Sequence, residues 1–142
     1  MIEILLATYN GERFLSEQIE SILSQSYTDF KILASDDGSS DCTFEILRGY
    51  KDLLQDKMHV IRSESHSAKE NFYNLLDIAD SDYTALCDQD DFWENKKLEK
   101  SIEAVKRLED IYGKDTPVLI HCDLEIVDEN LNSENKKMSD IT

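Results

Sequence analysis

Five short apolar runs, rich in isoleucine, leucine and valine, recur along the chain and constrain its fold more than any other feature. They cover residues 2–8, 30–35, 58–62, 82–87 and 117–122. Within each run the apolar residues are mostly continuous rather than alternating, which is typical of strands buried on both faces of a sheet. Each gap between runs is long enough for a helix. The spacing therefore predicts an α/β fold with a mainly parallel sheet and right-handed crossovers.

The segments between and after these runs carry apolar residues at helical spacing. Asn10 is the predicted N-cap of the first helix, and Ser67 with Glu70 predicts a capping box at the start of the third. Gly113 and Pro117 are expected to end the fourth helix. The four apolar faces consist of Phe14, Leu15, Ile19, Ile22 and Leu23; of Phe44, Ile46, Leu47, Tyr50, Leu53 and Leu54; of Phe72, Leu75, Leu76 and Ala79; and of Leu98, Ile102, Val105 and Leu108.

Length and charge narrow the classes of function. We expect residues 1–142 to form a single domain, because a chain of this length buries one core. The net charge of −16 argues against nucleic acid as a partner, because binding a phosphate backbone requires a basic surface. No apolar run approaches the ~20 residues that span a bilayer, so no membrane span is expected in this segment.

The three cysteines show no paired or histidine-flanked spacing, so we expect neither a zinc site nor a disulfide framework. Cys87 and Cys122 lie in apolar runs and are expected in the core, as is His121. Trp93 and Phe92 are also interpreted as packing residues. This cysteine usage favours a cytoplasmic location.

Polar and acidic loops follow four of the five runs. Ligands in open α/β sheets bind outside the carboxyl ends of the strands, so these loops are the expected site. They read TYNGE (8–12), SDDGSSD (35–41), DQDDFW (88–93) and HCD (121–123). Six acids are expected to converge on this edge: Asp36, Asp37, Asp88, Asp90, Asp91 and Asp123.

Carboxylates crowded into one cleft raise each other's pKa unless a cation compensates their charge. Oxygen-only ligands favour a hard ion, Mg²⁺ or Mn²⁺, which shares its coordination shell with substrate phosphates. The acids therefore predict a divalent cation and a nucleotide diphosphate. Each motif alone has a structural alternative: SDDGSSD is also a turn that caps a helix, and DQDD is also a solvated turn.

Two long stretches, ILLATYNGERFLSEQIESILSQSYTDFKILASDDGSSDCT (4–43) and DYTALCDQDDFW (82–93), resemble the N-terminal signature and the DXD region of family 2 glycosyltransferases. The resemblance covers nearly the whole chain, and it is closest to bacterial members that build surface polysaccharides, including rhamnosyltransferases. It implies the GT-A fold, a Rossmann-like three-layer α/β/α arrangement. It also implies a nucleoside diphosphate sugar (UDP- or dTDP-linked) as donor and a glycan or lipid-linked acceptor.

The resemblance assigns the nucleoside end of the site to the first two loops. Thr8, Tyr9 and Asn10 would line the pocket for the base and ribose, with Tyr9 against the base. Glu12 would assist from the same loop. Asp37 would accept a hydrogen bond from the pyrimidine ring.

The resemblance assigns the diphosphate and sugar end to the later motifs. Asn71 would bring its side chain toward the nucleotide, although the family usually has a glycine where this chain has Ser67. Asp88 is the first acid of the DXD motif. Asp90 would face the ribose or sugar, and Asp91, together with Asp90, would hold Mn²⁺ or Mg²⁺.

The resemblance also implies an inverting, metal-dependent transfer whose general base is a carboxylate beyond Thr142. We therefore expect a donor-binding part of a longer transferase, which binds nucleotide and metal but transfers sugar poorly. Membrane association of the full-length protein is the alternative to a purely cytoplasmic location.

Two other classes of function are alternatives: a receiver-type phosphotransfer domain, and a non-catalytic interaction module with the same sheet. A receiver should carry paired acids after its first strand, where this chain has Thr8, Tyr9 and Asn10.

Overall fold

The computed structural model describes residues 1–140, which form two compact units. The first unit is Met1–Glu99, and the second begins at Lys100. Among residues 1–140, no helix combines the length and the apolar character that crossing a bilayer requires.

The first unit contains a four-stranded parallel sheet in the order β3-β2-β1-β4. Every residue of β1 is buried, because it lies between two neighbouring strands and its side chains enter the core on both faces. The first four apolar runs are confirmed as strands to within one residue at each end. Their bounds are β1 (Ile2–Thr8), β2 (Phe30–Asp36), β3 (Met58–Arg62) and β4 (Tyr83–Asp88).

This strand order distinguishes the sheet from that of a receiver domain. In the flavodoxin-like order 2-1-3-4-5, which receivers share, β3 lies beside β1. Here β3 pairs with β2, and β4 pairs with β1. The order agrees with the first four strands of the Rossmann-type order 3-2-1-4-5-6.

Helices cover both faces of the sheet. Leu75 of α3 packs with Leu5, Ala7 and Leu33 on one face. Side chains alternate along a strand, so those of Ile4 and its equivalents point to the other face. Right-handed crossovers from β1 to β2 and from β2 to β3 place α1 and α2 there, in contact with each other. The helices are α1 (Leu15–Leu23), α2 (Thr43–Leu54), α3 (Ala68–Ile78) and α4 (Lys97–Tyr112), with short 3-10 turns at Gln55–Lys57 and Met138–Asp140.

The helix ends follow the sequence signals at two places and depart from them at one. Ser67 caps α3 by accepting from the Glu70 backbone N–H at 3.1 Å, and Gly113, at φ +90°, follows the last residue of α4. Asn10 is not the cap of α1, so that prediction is wrong. The helix begins at Leu15, and Asn10 has φ +47° inside the preceding loop, since asparagine tolerates the left-handed region as well as cap positions.

The second unit corrects the prediction of a fifth strand. Residues 117–122 form no helix or strand, and Leu119 is 89% exposed. A strand needs a hydrogen-bonded neighbour, and within residues 1–140 none pairs with this run. Cys122 is therefore exposed rather than in the core, and so is His121; Cys87 is buried as predicted.

A short antiparallel hairpin, β5 (Glu125–Val127) and β6 (Ser133–Lys137), follows in the second unit. Asp123 precedes it and accepts hydrogen bonds from the backbone of Leu124 at 3.0 Å and from the Ser139 hydroxyl at 2.7 Å. These bonds lower its pKa. Asp123 therefore does not follow a fifth strand, as the sequence predicted.

Candidate functional site

A cavity of about 400 Å³ lies in the first unit at the carboxyl ends of its strands. Strand order reverses beside β1, since β2 and β3 lie to one side of it and β4 lies to the other. Such a reversal is where open α/β sheets form their ligand crevice. The strand ends contribute Ala7, Thr8, Asp37, Asp88 and Asp90 to the lining. Tyr9 and Gln89 extend that wall, and His66, Ser67, Ala68 and Asn71 form the opposite side.

The loop after β1 is held by side chains rather than by regular secondary structure. Four consecutive backbone N–H groups, from Tyr9 to Glu12, each donate to a side-chain oxygen at 2.8–3.1 Å. The loop thus has a fixed shape before any ligand arrives. The acceptors are, in order, Gln89 Oε1, Ser39 Oγ, Thr43 Oγ1 and Asp41 Oδ2.

Asp36 builds the turn after β2. It is fully buried and accepts from the backbone N–H of Ser39 at 3.0 Å, from the Ser39 hydroxyl, and from Thr8 Oγ1 at 3.3 Å. Arg62 Nε lies 3.7 Å from its second oxygen. Gly38, at φ +78°, supplies the left-handed residue that this turn requires. Asp36 does not line the cavity; its role is structural.

Asp37 lines the cavity, although it is only 7% exposed. Its Oδ1 accepts from the backbone N–H groups of Ser65 and, at 3.1 Å, of His66. Its own N–H donates to Thr8 O at 2.9 Å. The carboxylate therefore joins the loop before α3 to the strand ends, and its position is fixed by backbone groups.

Asn71 on α3 uses both ends of its amide inside the protein. Nδ2 donates to Ser35 O at 3.0 Å, and Oδ1 accepts from the Ser63 hydroxyl at 3.1 Å. The side chain is 1% exposed. It fixes α3 against the end of β2 and contributes a small part of the cavity wall.

The acids after β4 have a different environment. Partial removal from water raises the pKa of Asp88, and Asp90 raises it further, although the residue as a whole is exposed. Burial raises the pKa of Asp91, and so do Asp88 and Asp90, while Lys97 lowers it. Within residues 1–140, the carboxylates of Asp88 and Asp91 receive no hydrogen bond from the protein. Their negative charges are therefore poorly compensated.

The segment that follows these acids is fastened to α1. Ser21 Oγ accepts from the backbone N–H of Trp93 at 3.1 Å, and Gln25 Oε1 accepts from that of Leu98 at 3.0 Å. Gln25 Nε2 donates to Glu94 O at 2.8 Å. Trp93 is buried, as predicted, whereas Phe92 is 50% exposed, so its interpretation as a packing residue is wrong. Hydrogen bonds on the C-terminal side of these acids therefore anchor their loop.

The three acids after β4 suit a hard divalent cation in their chemistry. Asp88, Asp90 and Asp91 supply only oxygen atoms, the ligands that Mg²⁺ and Mn²⁺ prefer. No group of three or more His, Cys, Asp and Glu side chains in the described part of the chain is arranged to hold an ion by itself. Such ions usually complete their shell with waters and substrate phosphates, so a partial set of protein ligands fits this chemistry.

The structure brings six of the predicted site residues to one cavity: Thr8, Tyr9, Asp37, Asn71, Asp88 and Asp90. Asn10, Glu12 and Asp91 are not among its lining residues. Asn10 Oδ1 accepts from the Ser40 N–H at 2.9 Å, and Glu12 Oε2 accepts from the Cys42 N–H at 2.8 Å. Sequence reasoning did not identify His66 or Gln89 as residues of the cavity. The position of Gln89 between the two acids of the DQD motif was a signal that could have found it.

Comparisons with known proteins identify the family and the fold of this chain. The sequence profile of Glycosyl transferase family 2 matches residues 3–118. The dTDP-rhamnosyl transferase RfbG of Shigella flexneri is 34% identical over 105 residues, which are 70% of this chain and 36% of that protein. The chain thus spans little more than a third of the length of this curated relative.

Two solved structures share the fold. TarS of S. aureus (residues 1–349, in complex with UDP) matches 94% of this chain and 43% of its own, with a TM-score of 0.68 and 20% identity. The mannosyltransferase PcManGT from Pyrobaculum calidifontis, in complex with GDP-Man and Mn²⁺, matches 75% of this chain and 32% of its own, with a TM-score of 0.66 and 21% identity. The chain belongs to glycosyl transferase family 2 and has the GT-A fold.

Proposed function

We propose that this chain is the donor-binding part of a glycosyltransferase that transfers a sugar from a UDP- or dTDP-sugar to a hydroxyl group. The acceptor is a glycan or a lipid-linked glycan of a bacterial surface polysaccharide. One observation carries the proposal: a single cavity combines the exposed ring of Tyr9, the fixed carboxylate of Asp37, and the acids Asp88 and Asp90. The names of RfbG, a dTDP-rhamnosyl transferase, and of the TarS complex with UDP support this choice of donors.

The nucleoside base binds at Tyr9 and Asp37. The Tyr9 ring is 57% exposed, while its backbone N–H and C=O are both held by Gln89. A ring presented on a fixed backbone stacks on a base at low entropic cost. Asp37 then accepts the ring N–H of a pyrimidine, which gives specificity through a charge-assisted hydrogen bond.

The other residues at the nucleoside end position this pair. Asn71 already uses both ends of its amide, so it shapes the cavity wall rather than reading the base. Asn10 and Glu12 hold the start of α2 by accepting from Ser40 and Cys42. Thr8 supplies the backbone carbonyl that fixes Asp37.

The diphosphate and its cation bind at the acids after β4. Asp90 and Asp91 hold Mn²⁺ or Mg²⁺, and Asp88 completes the acidic wall. When bound there, a divalent cation would supply Lewis-acid stabilisation of the charge that develops on the diphosphate leaving group. The loop that carries these acids is hydrogen-bonded to the loop after β1 and to α1, so the site is organised before the ion arrives.

Transfer also requires a carboxylate that takes the proton of the acceptor hydroxyl. We assign the acids of the cavity to the donor and place the base outside residues 1–142, as in an inverting transferase longer than this chain. The chain by itself is then expected to bind the donor nucleotide and to transfer sugar poorly.

Isothermal titration with UDP or dTDP, in the presence and absence of Mn²⁺, tests the proposal. Asp91→Asn is expected to weaken binding in Mn²⁺ by roughly tenfold or more, because the ion loses an anionic ligand. Asp37→Asn keeps an oxygen for Ser65 and His66 and is expected to weaken binding with or without the ion. Asp52→Asn, in the last turn of α2, removes the same charge away from the site and serves as the matched control.

Binding of UDP or dTDP that is unchanged by both site substitutions contradicts the proposal. So does binding that Asp52→Asn weakens equally, since the effect would then come from net charge alone. Thermal unfolding of each variant separates a loss of binding from a loss of folding.

A further inference from the structure

The side-chain amide of Gln89 binds both polar groups of the Tyr9 backbone. Tyr9 N–H donates to Gln89 Oε1 at 2.8 Å, and Gln89 Nε2 donates to Tyr9 O at 2.9 Å. The backbone pairing of β1 with β4 ends at Ala7 and Asp88. The amide therefore continues the link between the two chain segments beyond the point where the strands separate.

Gly11 makes room for this amide. A Cβ atom added at Gly11 would lie 2.3 Å from Gln89 Oε1 and 2.5 Å from its Cδ, closer than nonbonded atoms approach. The backbone of Gly11 does not have the positive φ that favours glycine, whereas Gly38 and Gly113 do. A side chain at position 11 would therefore displace the Gln89 amide, although the backbone conformation itself would accept one.

Four hydrogen bonds hold the backbone N–H groups of residues 9–12. Only the bond to the Gln89 amide connects them to the loop after β4 that carries Asp88 and Asp90. The other three acceptors, Ser39, Thr43 and Asp41, all belong to the segment at the start of α2. Loss of the amide would leave the loop after β1 attached to α2 but free of Asp88 and Asp90.

From these contacts we infer that Gln89 is a positioning residue for donor binding, and that Gly11 serves it by leaving space. The inference rests on the proposed function, in which Tyr9 receives the base and the acids beside Gln89 receive the diphosphate and its cation. Gln89 fixes the separation of these two ends, so a nucleoside diphosphate meets both without reorganising the loops. Gln89 therefore influences donor binding through the positions of Tyr9, Asp88 and Asp90.

A double-mutant cycle tests this inference, because the clash of Gly11→Ala is with Gln89 and with no other residue within 3 Å of the added atom. The variants are Gly11→Ala, Gln89→Ala and the double substitution. Gln89→Met keeps the length of the side chain but forms neither hydrogen bond. For each protein, UDP affinity with Mn²⁺ is measured by isothermal titration, and the Tm is measured without ligand.

Gln89→Ala and Gln89→Met are expected to weaken UDP binding by roughly tenfold, since two hydrogen bonds that organise the site are lost. Gly11→Ala is expected to weaken it by a similar factor, because its Cβ displaces the amide. In the double variant, Gly11→Ala adds no further loss. Each single variant is expected to lower the Tm by roughly 3–6 °C, and Gly11→Ala in the Gln89→Ala background by less than about 2 °C.

Gly49→Ala is the matched control, since nothing lies within 4 Å of a Cβ added there on α2. It is expected to leave UDP affinity unchanged and to raise the Tm slightly, because alanine favours a helix more than glycine. The inference is overturned if the losses of UDP affinity in Gly11→Ala and Gln89→Ala add up in the double variant. Full UDP affinity in Gln89→Met would do the same, because the amide would then only fill space.

Failure of the inference and failure of the proposed function give different results. If the wild-type chain binds neither UDP nor dTDP, the proposed function is wrong and Gln89 positions no donor site. The Tm cycle on the ligand-free protein still decides whether the amide and Gly11 are coupled. If the wild type binds UDP and the changes in binding free energy of the two substitutions add, the proposed function is supported and the inference is overturned.

Discussion

The acids after β2 and the acids after β4 lie at the same end of the sheet, but the protein treats them differently. Asp36 is fully buried and receives hydrogen bonds from Ser39 and Thr8, with Arg62 nearby. Asp88 and Asp91 receive none from the described part of the chain, and their pKa values are raised by loss of water and by neighbouring acids.

The contrast shows that the position of an acidic residue at a strand end does not determine its role. Asp36 stabilises the fold through its charge, because donors surround it and each bond to a charged group is strong. Asp88 and Asp91 destabilise the ligand-free fold, because loss of water and repulsion between neighbouring acids disfavour their charges, and Lys97 offsets this only in part at Asp91. Asp36 stabilises the turn after β2, whereas the proposed function assigns the acids after β4 to a bound cation. Neutralising single acids should therefore change stability in opposite directions.

Asp36→Asn is expected to give the largest effect, a loss of about 3 kcal/mol in the free energy of unfolding. The amide introduces a donor among groups that already donate, and it removes the charge opposite Arg62. Chemical denaturation followed by circular dichroism measures the change, with Asp52→Asn as the control for net charge. A loss below about 1 kcal/mol would remove the distinction between the two sets of acids.

Arg62→Gln is expected to give a smaller loss of about 1 kcal/mol, because the side chain is half exposed and solvent screens its charge. It would remove the ion pair with Asp36 at 3.7 Å, a bond to Ser39 O at 3.1 Å, and the contact with the Phe44 ring. Arg48→Gln on α2 is the matched control. Equal Tm values for the two variants would show that Arg62 does not support the turn after β2.

The sequence predicted four strands of the sheet and the edge at which the cavity lies, because both depend on local patterns. Strands buried on both faces give continuous apolar runs, and the chain must leave β1, β2 and β4 at the same edge of the sheet. The run at 117–122 is also apolar but forms no strand, because pairing depends on a neighbour that the run itself does not specify.

The finer features of the site depend on contacts between distant residues. Asp36 and Asp37 are adjacent in sequence, yet one is enclosed by donors and the other lines the cavity. The role of Gln89 depends on Gly11 and Tyr9, about 80 residues earlier in the chain. Asn10 fits two local rules, the helix cap and the left-handed turn, and only the folded loop selects the second.

Asp91→Asn is expected to give the smallest effect on stability and the opposite sign, a gain of about 0.5 kcal/mol at neutral pH after screening by solvent. The folded pKa of Asp91 lies above the unfolded value of 3.8, so the ionised carboxylate costs stability as the pH rises through the folded pKa. The advantage of asparagine should therefore be absent below pH 3.8, grow above it, and level off once the folded carboxyl is ionised.

Urea denaturation of the ligand-free protein between about pH 4 and pH 7 measures this gain. Asp52→Asn provides the correction for the general relief that any lost negative charge gives a chain of net charge −16. Saturating Mn²⁺ with UDP should reverse the sign, because the bound cation makes the Asp91 charge favourable. A gain that persists under those conditions would mean that the acids after β4 repel one another without serving a cation.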